Sequence, residues 1–142
     1  MRILYLTDLH GVTTGLSALI AREAGADLCL LGGDLTSFRG PEAAERVLRP
    51  LANAFGQIRA VAGNTDRPEV SRWLATQGWS LDGRGEALDG LWLSGVEGSN
   101  HTPLKAPIEL AEPELARRLA AGALPAGAPP TASSTHAANG AM

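Results

Sequence analysis

Apolar and polar positions along the first 95 residues switch repeatedly between a strand-like and a helix-like period. Arg2 to Thr7 (RILYLT) is a near-continuous apolar run, the pattern of a strand buried on both faces. Residues 13 to 25 then place Leu16, Leu19, Ile20 and Glu23 at helical spacing, with Gly25 as a stop. Asp27 to Leu31 (DLCLL) predicts a second buried strand, and Pro41 to Phe55 a second helix opened by Pro41 and closed by Gly56. Pro50 is expected to kink or split that helix, since it removes a backbone donor and crowds the preceding turn. Ile58 to Ala62 predicts a third strand, and Arg67 to Gln77 a third helix with Val70, Trp73 and Leu74 on one face. From Trp79 to Val96 the spacing shortens, and EALDGLWL reads as a hairpin turning at Asp89-Gly90. A Pro-containing loop from Gly98 to Glu112 precedes a short helix over Pro113 to Ala121. This order of elements predicts an α/β fold with a mainly parallel sheet and an added β-hairpin.

Composition narrows the class. The 142 residues fit one domain, and 44% hydrophobic with 19% charged residues is the balance of a soluble globular protein. Apolar runs such as Leu28 to Leu31 are too short to span a bilayer, and Asp8 arrives too early for a signal peptide. A formal net charge of −3 argues against a general nucleic-acid surface and against an anionic membrane surface. Cys29 is the single cysteine, which excludes an intrachain disulfide and suits a reducing, cytoplasmic setting. After Leu124 the chain is rich in Ala, Pro, Ser and Thr and has no large aliphatic residue besides the final Met142. Such a stretch cannot offset its ordering entropy by burial, so 1–121 is expected to be the domain and 122–142 a disordered tail.

The chemistry concentrates at the tips of the three strands, where Asp8-Leu9-His10, Gly33-Asp34 and Gly63-Asn64 follow in succession. In an open α/β sheet the carboxyl ends of the strands line the ligand crevice. Two carboxylates, an imidazole and a carboxamide converging there suit a divalent metal such as Mn, Fe or Zn, and a carboxylate can bridge two ions. Gly32, Gly33 and Gly63 permit the tight turns that let short side chains share a centre. No G-x-G-x-x-G follows the first strand, so a dinucleotide site is not indicated. Other reactive residues have plainer roles. Cys29 is expected in the core, Trp73, Trp79 and Trp92 in packing, Arg117-Arg118 on a solvated face, His101 in a solvated loop and His136 in the tail.

The segments TDLHG, GGDLT and GNTD, in this order and each after a strand, resemble the first three motifs of the calcineurin-like metallophosphoesterases. The stretch GVEGSNHTPLKAPIELAE is similar to a segment found in a prokaryotic branch of that family. The resemblance implies a four-layer α/β/β/α sandwich, here with an incomplete second sheet. It implies that Asp8 and His10 hold one metal ion, that Asp34 bridges two, and that Asn64 holds the second. The substrate class it implies is a phosphate mono- or diester, cleaved by in-line attack of hydroxide generated between the ions.

Two departures from the family pattern shape the expectation. Thr65 stands where the third motif often has a histidine, so a proton donor for the leaving group is missing, and Asp66 loses the imidazole it would orient. The later histidine motifs have no counterpart apart from His136, which lacks a strand before it. The alternative expectation is therefore a truncated, catalytically impaired remnant or a partner subunit. Its exposed apolar sheet surface would favour a homo-oligomer.

Overall fold

The computed structural model describes residues 1–127, so the expectations for His136 and for most of the tail lie outside the described residues. Three parallel strands, β1 (Ile3–Leu6), β2 (Leu28–Leu31) and β3 (Ile58–Ala60), form a sheet in the order β1-β2-β3. The register pairs Leu4 with Cys29 and Cys29 with Ile58, which brings the three strand tips to one edge. Parallel neighbours require crossovers, and the helices α1 (Leu16–Arg22) and α2 (Pro41–Ala54) provide them. Helix α3 (Pro68–Thr76) follows β3, after which Ser80 returns beside Ala60 in a parallel bridge. An antiparallel hairpin, β4 (Arg84–Leu88) and β5 (Leu91–Gly95), and a last helix α4 (Glu112–Ala121) complete the described chain. The hairpin turns at Asp89 and Gly90, both at positive φ (47° and 82°), as a two-residue turn of that twist demands.

Alternation along β2 divides the core in two. Cys29 and Leu31 face the helices, where they join Leu16, Val47, Leu48, Leu51, Phe55, Val70 and Leu74. Leu28 and Leu30 face the other way and meet Val61, Leu81 and Leu93 under the hairpin. Helix α2 buries Ala43, Ala44, Val47, Leu48 and Leu51 along one stripe, as its period predicts. Pro50 lies inside this helix and does not split it. It sits on the exposed side, where water can satisfy the Arg46 carbonyl that its ring leaves without a donor. The first helix is shorter than predicted, because Gly15 at φ 80° opens it and residues 14–15 form a turn instead.

The expectation that β1 is buried on both faces needs correction. Leu4 and Leu6 pack against the helical side, but Ile3 and Tyr5 on the opposite side are 40% and 45% exposed. Cover on that side comes from the hairpin cluster, which reaches β2 and Val61 but not β1. The solvated face expected for Arg117-Arg118 is half right. Arg117 is exposed, whereas Arg118 is drawn in to Asp82 (2.6 Å), Glu97 (3.0 Å) and Glu114 (2.8 Å). Helix α4 buries no residue of its own, so this ion cluster and the Trp92 Nε1 bond to the Gly122 carbonyl (3.0 Å) hold it to the hairpin. Trp73 and Trp79 meet edge to face at 5.5 Å, with the Arg49 guanidinium 5.3 Å from the Trp79 ring, in the packing role expected for them.

The two faces of the sheet predict different sensitivities. Leu48→Ala, at a fully buried position, should cost about 2–5 kcal/mol of unfolding free energy, while Ile3→Ala should cost less than about 1 kcal/mol. Urea denaturation of both variants checks this, and equal losses would contradict the uncovered face.

Candidate metal centre

Each strand runs into a loop at its carboxyl end, and the three loops continue the sheet as a ladder of backbone bonds. Asp8 N–H donates to the Gly33 carbonyl (3.1 Å), His10 N–H to Asp34 (2.8 Å) and Gly11 N–H to Leu35 (2.7 Å). The second and third loops are joined by Asp66. Its fully buried carboxylate accepts from Leu35 N–H (3.0 Å), Thr36 N–H (2.7 Å), Thr36 Oγ1 (2.8 Å) and Gly63 N–H (2.8 Å). Burial pushes the Asp66 pKa up, against these donors, which favour the charged form. Asp66 is thus a tie between loops rather than a group that has lost its imidazole partner.

The ladder brings Asp8, His10 and Asp34 together, with one potential ligand atom from each lying within 4.8 Å of the others. All three adopt left-handed backbone, at φ 57°, 49° and 50°. Non-glycine residues held there carry conformational strain, and such strain gathers at functional sites. Asp34 is 7% exposed and accepts at Oδ1 from Thr65 N–H (3.2 Å). Asp8 is exposed, and its Oδ2 accepts from the Thr7 hydroxyl (2.7 Å). His10 Nε2 lies 3.7 Å from Asp8 Oδ1, a separation two ligands can span when each sits about 2.1 Å from a common ion. His10 Nδ1 lies 3.2 Å from Ser37 Oγ. With its Nδ1 proton donated to Ser37, the ring leaves the Nε2 lone pair free for a metal. Nothing in the sequence marks Ser37 for this positioning role, because it depends on how the second loop folds over the first.

The glycines of the motifs fit by close approach. A Cβ on Gly63 would collide with the Asp34 backbone nitrogen and side chain, and one on Gly33 would come 2.9 Å from the Gly63 Cα. Asn64 follows Gly63 on the loop pressed against Asp34. It is half-buried, and its carbonyl accepts from Ile108 N–H (3.2 Å). Thr65 uses its hydroxyl on the Thr36 carbonyl (2.9 Å). The donor set of two carboxylates and an imidazole fits a divalent metal ion.

The loop after β5 braces this edge. Gly98 N–H donates to Ala62 (2.9 Å), and Glu109 closes the loop by accepting from Thr102 Oγ1 (2.5 Å) and Ala106 N–H (2.8 Å). His101 is solvated, as expected, with Nδ1 3.5 Å from Glu109. Cys29 is buried at 0% exposure, and burial pushes its thiol up to about 12, which agrees with an inert core role.

Strand tips that converge on a buried carboxylate, a second carboxylate and an imidazole define a metal-binding α/β protein. Comparison of sequences names the family: the model of the calcineurin-like phosphoesterases matches residues 1–122, and the chain belongs to that family. That family is one of phosphoesterase hydrolases. An uncharacterized protein of Methanocaldococcus jannaschii is 32% identical over 120 residues, covering 84% of this chain and 53% of that protein. The chain therefore spans about half the length of the curated relative it matches. No solved structure matches the chain. Among the described residues no helix is long and apolar enough to cross a membrane.

Removing the tie between loops should be costly. Asp66→Ala leaves three buried backbone donors unmatched and should lose on the order of 3–5 kcal/mol of stability, measured by denaturant unfolding. A loss below about 1 kcal/mol would show that the loops stand without it. The bracing loop carries a pH dependence. The Thr102 hydroxyl and the Ala106 amide hold the Glu109 carboxyl down from its ordinary 4.5 to about 2. Its contribution is complete above about pH 4.5 and is lost as pH falls toward about 2, because the folded loop binds the proton more weakly than the open one. Hydrogen exchange at the Ala106 amide should accelerate relative to reference amides over that descent, and Glu109→Gln should remove the dependence.

Proposed function

We propose that the chain hydrolyses a phosphate mono- or diester with the help of divalent ions, two in number and of the Mn, Fe or Zn kind. The ions would be held by Asp8, His10, Asp34 and Asn64. The observation that carries this reading is the meeting of Asp8, His10 and Asp34 on left-handed backbone at one sheet edge. When bound, the ions supply Lewis-acid activation of the phosphate and of a water. The remaining work falls to the chain. Ser37 fixes the His10 ring through Nδ1, and Thr65 N–H occupies Oδ1 of Asp34, which directs the free lone pairs of that carboxylate into the site. The open side of the cluster, where Asp8 and His10 are exposed, admits substrate and solvent. Thr65 cannot protonate a departing alkoxide, since its hydroxyl proton is already donated to Thr36. Esters of acidic alcohols are thus the better substrates, because their leaving groups need no proton. A cytoplasmic setting suits the single, buried thiol.

A second reading is a metal-binding subunit that works with another chain or a second copy. The uncovered Ile3 and Tyr5 beside the hairpin favour it.

Hydrolysis of bis-p-nitrophenyl phosphate with added manganese separates the two. The first reading expects turnover that Asp34→Ala reduces to background and that His10→Gln restores only at raised manganese. Equal rates for the native chain and Asp34→Ala, with both folded, would leave the subunit reading. Turnover should also fall far more steeply for ethyl than for p-nitrophenyl esters, and a flat dependence on the leaving group would point to an unrecognised proton donor.

A further inference from the structure

Seven of the arginines are paired with carboxylates, among them Arg2, Arg49, Arg59 and Arg118. The structure assigns a purpose to the ones that are not. Of the four without a carboxylate partner among the described residues, Arg39, Arg46 and Arg67 line one cavity of about 520 Å³, with Arg84 elsewhere. We propose that this cavity binds a second phosphate group of the substrate, apart from the one that reacts at the Asp8–His10–Asp34 cluster. The assignment of that group to a substrate rests on the phosphoesterase reading above; the anion site itself does not.

Three arginines that line one cavity without an ion pair repel one another, and the chain's net charge of −3 makes such a concentration stand out. One acidic residue, Glu42, shares the lining and forms no ion pair with any of the three. The balance in the cavity is therefore two positive charges in excess, which matches a phosphate dianion. Guanidinium forks also suit phosphate oxygens better than point charges do. The volume falls within the usual range for small-molecule sites, about 300–1,000 Å³.

The position of the cavity ties it to the metal centre. Arg39 lies near the end of the loop that begins at Asp34, and its N–H donates to Thr36 Oγ1 (3.3 Å), whose own proton goes to Asp66. Phe38 N–H donates to the Thr65 carbonyl (2.9 Å), so the loops that form the metal centre also form the wall of the cavity. Arg67 directly follows Asp66, and its Cα can lie no more than about 11 Å from that of Asn64, the reach of three extended residues. An ester long enough to bridge these neighbouring loops would place a phosphate at each site. The class this selects is a phosphate ester that carries a second phosphate, in preference to a simple alkyl ester.

Inorganic pyrophosphate titrated into the full chain by calorimetry, in metal-free buffer, tests the site without relying on turnover. The native chain should bind it, and each of Arg39→Gln, Arg46→Gln and Arg67→Gln should weaken binding by about tenfold. Glu42→Gln should tighten it, and Asp34→Ala should leave it intact. These arginines are exposed and unpartnered, so their replacement should not unfold the chain. Loss of binding in Asp34→Ala with retention in the three arginine variants would place the anion in the metal centre and overturn the proposal. So would a single-stranded oligonucleotide that binds through the same arginines while pyrophosphate does not. If the chain shows no manganese-dependent hydrolysis yet the arginine-dependent binding holds, the phosphoesterase reading fails and the anion site stands. If hydrolysis is present, the Arg67→Gln variant should raise KM for a bisphosphate ester while leaving KM for p-nitrophenyl phosphate unchanged.

Discussion

The carboxylate of Asp66 is the constraint on which the business end of the molecule depends. Three strands of three or four residues leave their loops with little sheet to hold them, and loops of this kind ordinarily wander. Asp66 removes that freedom for two of the loops by accepting four hydrogen bonds from residues 35, 36 and 63. A buried carboxylate is expensive unless its lone pairs are filled, and here they are filled by backbone donors that would otherwise need partners of their own. The first loop then zips onto the second through three amide–carbonyl bonds. Asp8, His10 and Asp34 hold left-handed backbone because the loops on either side are already fixed.

The same tie explains why small residues are concentrated at the strand tips. Once the second and third loops are drawn together, Gly33 and Gly63 lie in contact: a side chain at Gly63 would strike the Asp34 carboxylate, and one at Gly33 would strike the Gly63 backbone. The glycine requirement is therefore a consequence of packing two loops around one carboxylate, not of turn geometry alone. Further from the tips the constraint relaxes. The helical side of the sheet is closed by a continuous apolar cluster, while the opposite side is closed over β2 and open over β1. Helix α4 belongs to this looser part and is attached by charge and one indole bond instead of apolar burial.

What could be read from the sequence follows the range of the forces involved. The β1-β2-β3 order, the helices between them and the Asp89-Gly90 turn were legible because period and turn chemistry are local. The convergence of Asp8, His10 and Asp34 was legible because parallel strands deliver their tips to one edge, whatever the loops do. Arg118 was misread as solvated because its partners, Asp82 and Glu97, lie 36 and 21 positions away, and nothing local marks them. The exposure of Ile3 and Tyr5 was misread for a related reason. An apolar run records what a strand can bury, and only the tertiary packing decides whether something covers it. Ser37 beside His10, and Asp66 as a tie, belong to the same class of long-range contact.

Charge is segregated at the sheet edge along the same lines. The cluster of Asp8 and Asp34 is an acidic site suited to cations, and the wall formed by Arg39, Arg46 and Arg67 is a basic one. Side chains of opposite sign that met would pair, and their charges would cancel. They stay apart because Asp34 is buried and held by Thr65 N–H, while the chain turns at Arg39, whose N–H donates to the Thr36 hydroxyl. Thr36 can make that turn because Asp66 holds both its amide and its hydroxyl. One buried carboxylate thus keeps a site for cations and a site for anions separate on two short loops, and an ester bearing two phosphates is the small molecule that such a pair can hold at both ends.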